Sequence, residues 1–374
     1  MPMPEGLMTT PFHAMYPADL ATEWIDVYGY AVPLWVGDPE DEYNAFRERV
    51  GILEYSMLYK WDLQGSGAVA AANAVFSRNV AALAPGRIAY GVITDADGLM
   101  LDDCTATVFS PDHVLLCGGN PGVGELIRNH LPEGTTLTER RREMAVASVQ
   151  GPRSRELLQR LTTADLSNEA FPYYTVLTDV QVAGIPATIN RLGFTAELGY
   201  EVVVPVERAA DLWNALFEAG ADLGVTACAA AALMMARIEA GMVMGEIEYD
   251  HTVTPFECRM GWAVDFEKGD FLGRDALLAK KDTAEGRVVT IRIDGDADGL
   301  DGAILANDGR EVGFVTMAVP SPALGGATLA MARLHRDAAR VGTSLTATPQ
   351  AGEPRNAEVL KTPVYDPERL RVRS

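Results

Sequence analysis

Two adjacent aspartates close the run Gly98-Leu99-Met100-Leu101-Asp102-Asp103-Cys104. Neighbouring side chains on a strand project to opposite faces, so one acid can be solvated while the other turns inward. An inward carboxylate costs free energy unless it is hydrogen-bonded, and in a cleft it serves as a base or as the partner of a developing cation. The plainer reading is that both acids simply end a strand. Glu197 and Glu201 flank the glycine-bounded stretch Gly193 to Gly199, and Glu201 heads the run Val202-Val203-Val204. From there a carboxylate reaching into a cavity can accept two adjacent N–H donors from a guanidine-like heterocycle edge such as a pterin's. A solvated strand start fits equally well. Arg237 and Glu239 interrupt a segment of Ala, Leu and Met, where charges need partners; an ion pair and a ligand contact are both open. Tyr55, Tyr59 and Trp61 suit a cation–π contact, although packing is the commoner use of such a stripe. Met234, Met235, Met242 and Met244 read as core.

Several elements must position these groups. The spacing predicts a helix over Asp41–Arg49 and a strand over Tyr59–Gln64, ended by a turn at Gly65-Ser66-Gly67. Ala68 to Phe76 suits a packed helix. Arg87 to Thr107 reads as a hairpin around Thr94-Asp95-Ala96-Asp97-Gly98, whose Asp and Gly are turn formers. Strands are expected at His113–Cys117, Met144–Val149, Val180–Arg191 and Tyr200–Val204, an amphipathic helix at Ala209–Ala219, and a buried helix over Ala227–Met242. Pro152 and the Leu157, Leu158, Leu161 stripe suggest a further helix. After Leu278 the composition shifts: a charged connector leads to short strands at Val288–Arg292, Glu311–Met317 and Leu329–Leu334 between Gly, Asp and Pro turns. The expected class is α+β, with a region over residues 1–278 and an all-β domain over 284–374.

Composition narrows the chemistry. The 374 residues are 48% hydrophobic and 22% charged, an ordinary globular balance. The formal net charge of −21 opposes binding to phosphate backbones and anionic lipid, so neither nucleic acid nor membrane is expected as a partner. No apolar run nears the roughly 18 residues of a membrane span, and the first thirty residues lack a basic start followed by an apolar run; a cytoplasmic protein is expected. The 4 cysteines and 5 histidines are scattered without ligand spacing, which argues for buried structural thiols and against a metal site.

In order along the chain, seven segments resemble the glycine-cleavage T-protein (aminomethyltransferase) family, which includes folate-dependent demethylases. Tyr90 followed by an acidic turn and Asp102-Asp103 resembles the family's hairpin. Val149-Gln150-Gly151-Pro152 resembles its Leu-Gln-Gly-Pro turn, and Gly193-Phe194-Thr195-Ala196-Glu197-Leu198-Gly199-Tyr200-Glu201 its Gly-Tyr-Thr-Gly-Glu-x-Gly-x-Glu loop. Arg237-Ile238-Glu239-Ala240-Gly241 and Thr254-Pro255-Phe256-Glu257 are similar to Arg-Leu-Glu-x-Gly and Thr-Pro-x-Glu. Lys268 to Arg274, and Gly313-Phe314-Val315-Thr316 with Ser321-Pro322, complete the series.

The resemblance implies a ring of domains around a central folate channel, two interleaved α+β subdomains over 1–278, and a C-terminal β-barrel. It implies tetrahydrofolate as the one-carbon acceptor, Asp103 as the catalytic residue, and Tyr90, Phe194, Glu201 and Arg237 as folate-binding residues. Tyr55, Tyr59 and Trp61 are substrate candidates. Departures bear on the substrate: the family's Arg-Asp is Leu233-Met234, its Asp-Val-Ser is Glu54-Tyr55-Ser56, its Ser-Asn is Cys117-Gly118, and the loop tyrosine is Phe194. Lost polar groups favour a demethylase acting on a small O-, N- or S-methyl donor over an aminomethyltransferase served by a lipoyl carrier protein. A non-catalytic folate binder or iron–sulfur maintenance protein is the remaining alternative, although the latter's Lys-Gly-Cys-Tyr is Lys268-Gly269-Asp270-Phe271 here.

Overall fold

A computed structural model describes residues 3–374 as three sheets and a barrel. The hairpin reading holds: strands Arg87–Thr94 and Met100–Ser110 pair antiparallel, with Gly98 at φ +75° and the Leu99 N–H donating to Asp95 Oδ1 at 2.8 Å in the turn. Together with His113–Gly118, Tyr59–Gln64 and Thr136–Glu139 they make a five-stranded sheet. Its apolar face packs on the helix Ala68–Val75 through Trp61, Leu63, Ala71, Ala72, Leu116 and neighbours.

A six-stranded sheet runs in the order Val176–Val182, Ile185–Asn190, Gly199–Pro205, Met144–Gln150, Val50–Glu54, Val225–Cys228. The stretch expected as one strand over Val180–Arg191 is instead a hairpin. Ala183 and Gly184 have φ of +52° and +73°, so a two-residue turn with both residues left-handed reverses the chain. Helices Ser154–Gln159 and Ala209–Ala219 cover this sheet, burying Leu157, Leu158, Leu212, Trp213 and Leu216. A small sheet of Met8–Thr9, Tyr30–Pro33 and Trp24–Val27 lies N-terminal to it.

The buried helix is shorter than expected, Ala230–Glu239. Its forecast first residues pair in parallel with Val50–Glu54 as a sheet edge. Ala229 stays extended and gives its N–H to Glu42 Oε2 at 2.8 Å, and Gly241 at φ +64° follows the end. The helix joins the units: Leu233, Met235, Ala236 and Ile238 share one core with Tyr43, Phe46, Met100, Val288 and Met331. The closed barrel runs Gly286–Ile293, Ala327–His335, Arg310–Ser321, Ile304–Asn307, Ser344–Thr348, Arg355–Leu360. Residues beyond 360 leave it and return to the first region. Val364 and Tyr365 N–H groups donate to Glu239 O at 3.1 Å, and Ser374 O accepts from Arg155 at 2.7 Å and Arg191 at 3.0 Å. No helix of the described residues is long and apolar enough to cross a membrane.

Candidate functional site

Cross-strand register brings the first groups together. Val92 stands opposite Asp103 and Tyr90 opposite Thr105, so Tyr90 is the diagonal neighbour of Asp103 on one face. The Tyr90 hydroxyl donates to Asp103 Oδ2 at 2.6 Å. Tyr249, from the loop after the central helix, gives its hydroxyl to Asp103 Oδ1 and accepts the Asp103 N–H at 2.9 Å. That loop is fixed along the strand by the Met100 N–H donating to Val253 O at 2.8 Å. Asp103 therefore sits half-buried between two neutral hydroxyls, and among the described residues no cation is bonded to it. Burial pushes its carboxyl above the usual range, and the two tyrosines pull it back.

Asp102 departs from the expectation of a solvated neighbour. It is 4% exposed, because the turn at Gly118-Gly119-Asn120 folds over it. Its Oδ2 accepts the N–H groups of Gly119 at 2.8 Å and Asn120 at 3.0 Å, and the Cys104 thiol at 3.2 Å. Burial and the nearby Asp103 charge raise its carboxyl. Both acids thus point into protein, from opposite faces of one strand.

Glu201 stands opposite Ser148 on one neighbouring strand and Asn190 on the other. Burial pushes its carboxyl up to about 7, opposed by a hydrogen bond to the Asn190 side chain and by the Lys60 charge. Lys60 is itself 3% exposed and hydrogen-bonded to Ser56 O at 3.0 Å and Leu58 O at 2.9 Å. Burial lowers its pKa, while Cys117 and Glu201 hold it up. Tyr55 lies in electrostatic reach of both acidic centres: burial raises its phenol, with added contributions from Glu201, Tyr28 and Asp103. Tyr55, Tyr90, Phe194 and Met234 are all half-buried against the same central core. Clefts of about 520 and 360 Å³ elsewhere on the surface include none of these residues.

Other expected site residues lie apart. Trp61 is core, 2% exposed and stacked on Tyr59 with centroids 5.6 Å apart; Tyr59 in turn faces the Arg141 guanidinium at 4.2 Å. Those two serve packing. Arg237 is fully buried in an ion pair with Glu248 at 2.6 Å. Its remaining donors meet Met242 O at 3.2 Å and the sulfurs of Met234, Met317 and Met331, so it stiffens the wall instead of facing a ligand. Glu197 belongs to a second buried network, with Arg47 at 3.0 Å and Arg371 at 3.2 Å. Sequence reasoning missed Tyr28, Lys60 and Tyr249, and also Trp262, which is 57% exposed, 6.1 Å from the Tyr90 ring and 5.7 Å from Arg78. None had a sequence signal: Lys60 alternates with Asp62 and Gln64 on the polar side of its strand, and only the fold buries it.

A barrel joined through a buried helix to two sheets, with an acid on a hairpin held by two tyrosines, defines a class of protein in which a central polar site is assembled from distant segments. Residues 14–268 match the GCVT N-terminal domain and residues 287–366 the glycine cleavage T-protein C-terminal barrel domain. The chain belongs to the glycine-cleavage T-protein family. It is 33% identical over 356 residues to a protein named aminomethyltransferase from Streptomyces avermitilis, covering 92% of this chain and 94% of that one. A protein of the same name from Cutibacterium acnes is 31% identical over 371 residues, 96% and 98% of the two chains. The crystal structure of glycine cleavage system aminomethyltransferase T from Bartonella henselae shares the fold at a TM-score of 0.86 and 21% identity, covering 96% of this chain and 98% of that one.

Proposed function

We propose that this chain is a one-carbon transferase with tetrahydrofolate as acceptor, and that the reaction is of the aminomethyl-transfer type for which its relatives are named. The observation that carries the reading is the Asp103 carboxylate held between the hydroxyls of Tyr90 and Tyr249. When bound, tetrahydrofolate supplies a nucleophilic nitrogen that takes up the carbon. The residues present fit such a group. Glu201 is a buried carboxylate offset by one side-chain hydrogen bond and a nearby lysine, and two heterocycle N–H donors would complete its solvation. Phe194 and Tyr90, half-buried against the same central core, would offer ring faces. Asp103 then lies where its charge offsets positive charge growing at the reacting nitrogen, in surroundings where the interaction is weakly screened. Arg78 beside Trp262, and Arg259 with Arg287 and Arg369 in electrostatic reach, would suit the carboxylates of a glutamyl tail.

In this reading a lipoyl carrier protein would present the aminomethyl group. A second reading, demethylation of a compact methyl donor, is favoured by one observation: tyrosine side chains fill the space beside the acid pair, and the helix carries Leu233 and Met234 toward the central core. The common part is tested by calorimetry with tetrahydrofolate. Binding is expected, and no heat at millimolar folate would remove both readings.

A further inference from the structure

Trp61 and Leu63 turn one face of the strand Tyr59–Gln64 onto the helix Ala68–Val75, so alternation sends Lys60 to the other face. There it stands directly across from Cys117 on the neighbouring strand. A lysine only 3% exposed must have its ammonium solvated by protein. Two of its three hydrogens go to Ser56 O at 3.0 Å and Leu58 O at 2.9 Å. Both carbonyls belong to the bend that leads from Val50–Glu54 in the six-stranded sheet into Tyr59–Gln64 in the five-stranded one. The bend is itself fixed. Ser56 Oγ accepts the Val146 N–H at 2.8 Å, and the Ser56 N–H donates to Glu54 Oε1 at 2.9 Å. Val146 lies on the strand that sets Ser148 opposite Glu201. The ammonium is thus moored at the seam of the two sheets.

Cys117, Glu201, Glu54 and Arg141 act on it electrostatically. Three of these are neutral or engaged elsewhere. Burial pushes the Cys117 thiol up to about 12, so it carries no charge near neutral pH. Glu54 uses its two oxygens on the N–H groups of Ser56 at 2.9 Å and Phe12 at 3.0 Å. Arg141 has like charge and holds the Tyr28 carbonyl and the rings of Tyr30 at 4.5 Å and Tyr59 at 4.2 Å. Glu201 remains. Its side-chain hydrogen bond is to Asn190, and Lys60 is the cation that acts on it. The other titratable groups in its reach, Tyr55 and Cys117, are kept neutral by burial. Among the described residues Lys60 and Glu201 form no direct ion pair, so the cation leaves the carboxylate oxygens open.

We propose that Lys60 is a positioning residue of the folate site, whose moored ammonium keeps the buried Glu201 carboxylate ionised to receive the N–H donors of the heterocycle. This rests on the reading of Glu201 as the pterin partner and holds whether the carbon donor is carrier-borne or free. A protonated Glu201 would aim an O–H at incoming N–H groups and lose acceptor capacity. Burial drives it toward that form; a fixed opposite charge nearby opposes the change.

The test is calorimetric titration with tetrahydrofolate across a pH series. Lys60→Met removes charge and mooring together, whereas Lys60→Gln removes the charge and keeps N–H donors for the carbonyls. In wild type, affinity is expected to rise until about pH 7, where Glu201 titrates. In both neutral variants the rise is expected to move up by about one pH unit. Affinity near pH 6 then falls roughly tenfold, while the high-pH plateau stays within about threefold. Lys60→Arg, which keeps the charge, is expected to hold the wild-type profile. Adding Lys60→Gln to Glu201→Gln protein is expected to shift nothing. An unmoved rise in the neutral variants overturns the proposal, as does an equal loss at every pH or a shift that persists without Glu201. Neutral variants that both fail to fold would show a structural role and overturn it too. Absent folate binding in wild type would instead remove the transferase reading and this proposal with it.

Discussion

Arg237 and Glu239 are two residues apart on the central helix and therefore point about 200° away from each other. Around Glu239 the buried charge is balanced. Arg47 donates to Glu239 at 2.8 Å and to Glu197 at 3.0 Å, and lies over the Tyr365 ring at 3.8 Å. Tyr43, Ser321 and the Ala323 N–H satisfy the rest of Glu239. Around Asp103 the half-buried carboxylate meets neutral donors. Both clusters tie distant segments together, but only the first brings a cation to its acids. Evenly paired charge holds domains in register; acid left with neutral partners retains electrostatic free energy that a ligand or a developing cation can relieve.

The largest effect is expected where a balanced charge is unbalanced. Arg47→Met leaves Glu197 with Arg371 and Tyr365, and Glu239 with hydroxyls and one N–H. Removing one partner of a buried pair typically costs about 3–5 kcal/mol. Arg371 and Tyr365 remain, so a loss near 3 kcal/mol is expected in urea unfolding, with folate affinity per folded molecule unchanged. A loss under about 1 kcal/mol would mean that this network is no more structural than the acid site.

The converse belongs to Asp103. Asp103→Asn removes a charge that burial disfavours and keeps one acceptor for a tyrosine hydroxyl, so the melting temperature is expected to hold or rise while turnover falls roughly 10²–10³-fold. Asp102→Asn is the comparator. Its three donors all meet one oxygen, which the Asn carbonyl can replace, so it is expected to leave stability nearly unchanged with a much smaller kinetic effect. Equal kinetic losses from the two would erase the distinction between an acid held for structure and one held for chemistry.

Much of this frame was legible before any coordinates. Tyr59–Gln64 and Ala209–Ala219 have the bounds their periodicity predicts, and strand alternation alone separates Asp102 from Asp103. What was illegible came from residues far away in the chain. Asp102 is buried because a turn 17 residues on folds over it, and Tyr249 reaches Asp103 across 146 residues. Arg237 looked as eligible for a ligand as any buried cation, and only Glu248 beside it shows otherwise. Trp61 and Tyr59 form a stripe whose spacing is the same for a core as for a binding face. The Ala183-Gly184 and Tyr28-Gly29 turns carry a residue in the first left-handed position that no turn rule would place there.

The smallest expected effect sharpens the comparison most, because it has a sign. Glu201 has an ordinary carboxylate pKa of 4.5 when unfolded and is pushed to about 7 by burial in the fold. A raised folded pKa means that its stabilising contribution is present below the unfolded value and is lost as pH rises through about 7. Folate binding runs the other way: the ionised carboxylate accepts two N–H donors, so affinity is expected to climb with pH and level off above about 7. Glu201→Gln should weaken folate by roughly ten- to a hundredfold, as loss of a charged hydrogen bond does. It should also flatten both pH profiles between 4.5 and 7. Calorimetric titration at several pH values, with urea unfolding at the same values, reads the two slopes. Parallel slopes, or a Glu201→Gln variant that keeps the wild-type profile, would place Glu201 with the balanced charges around Arg47. Opposite slopes that vanish together in the variant identify a carboxylate kept at a cost in the empty protein and made favourable by its ligand.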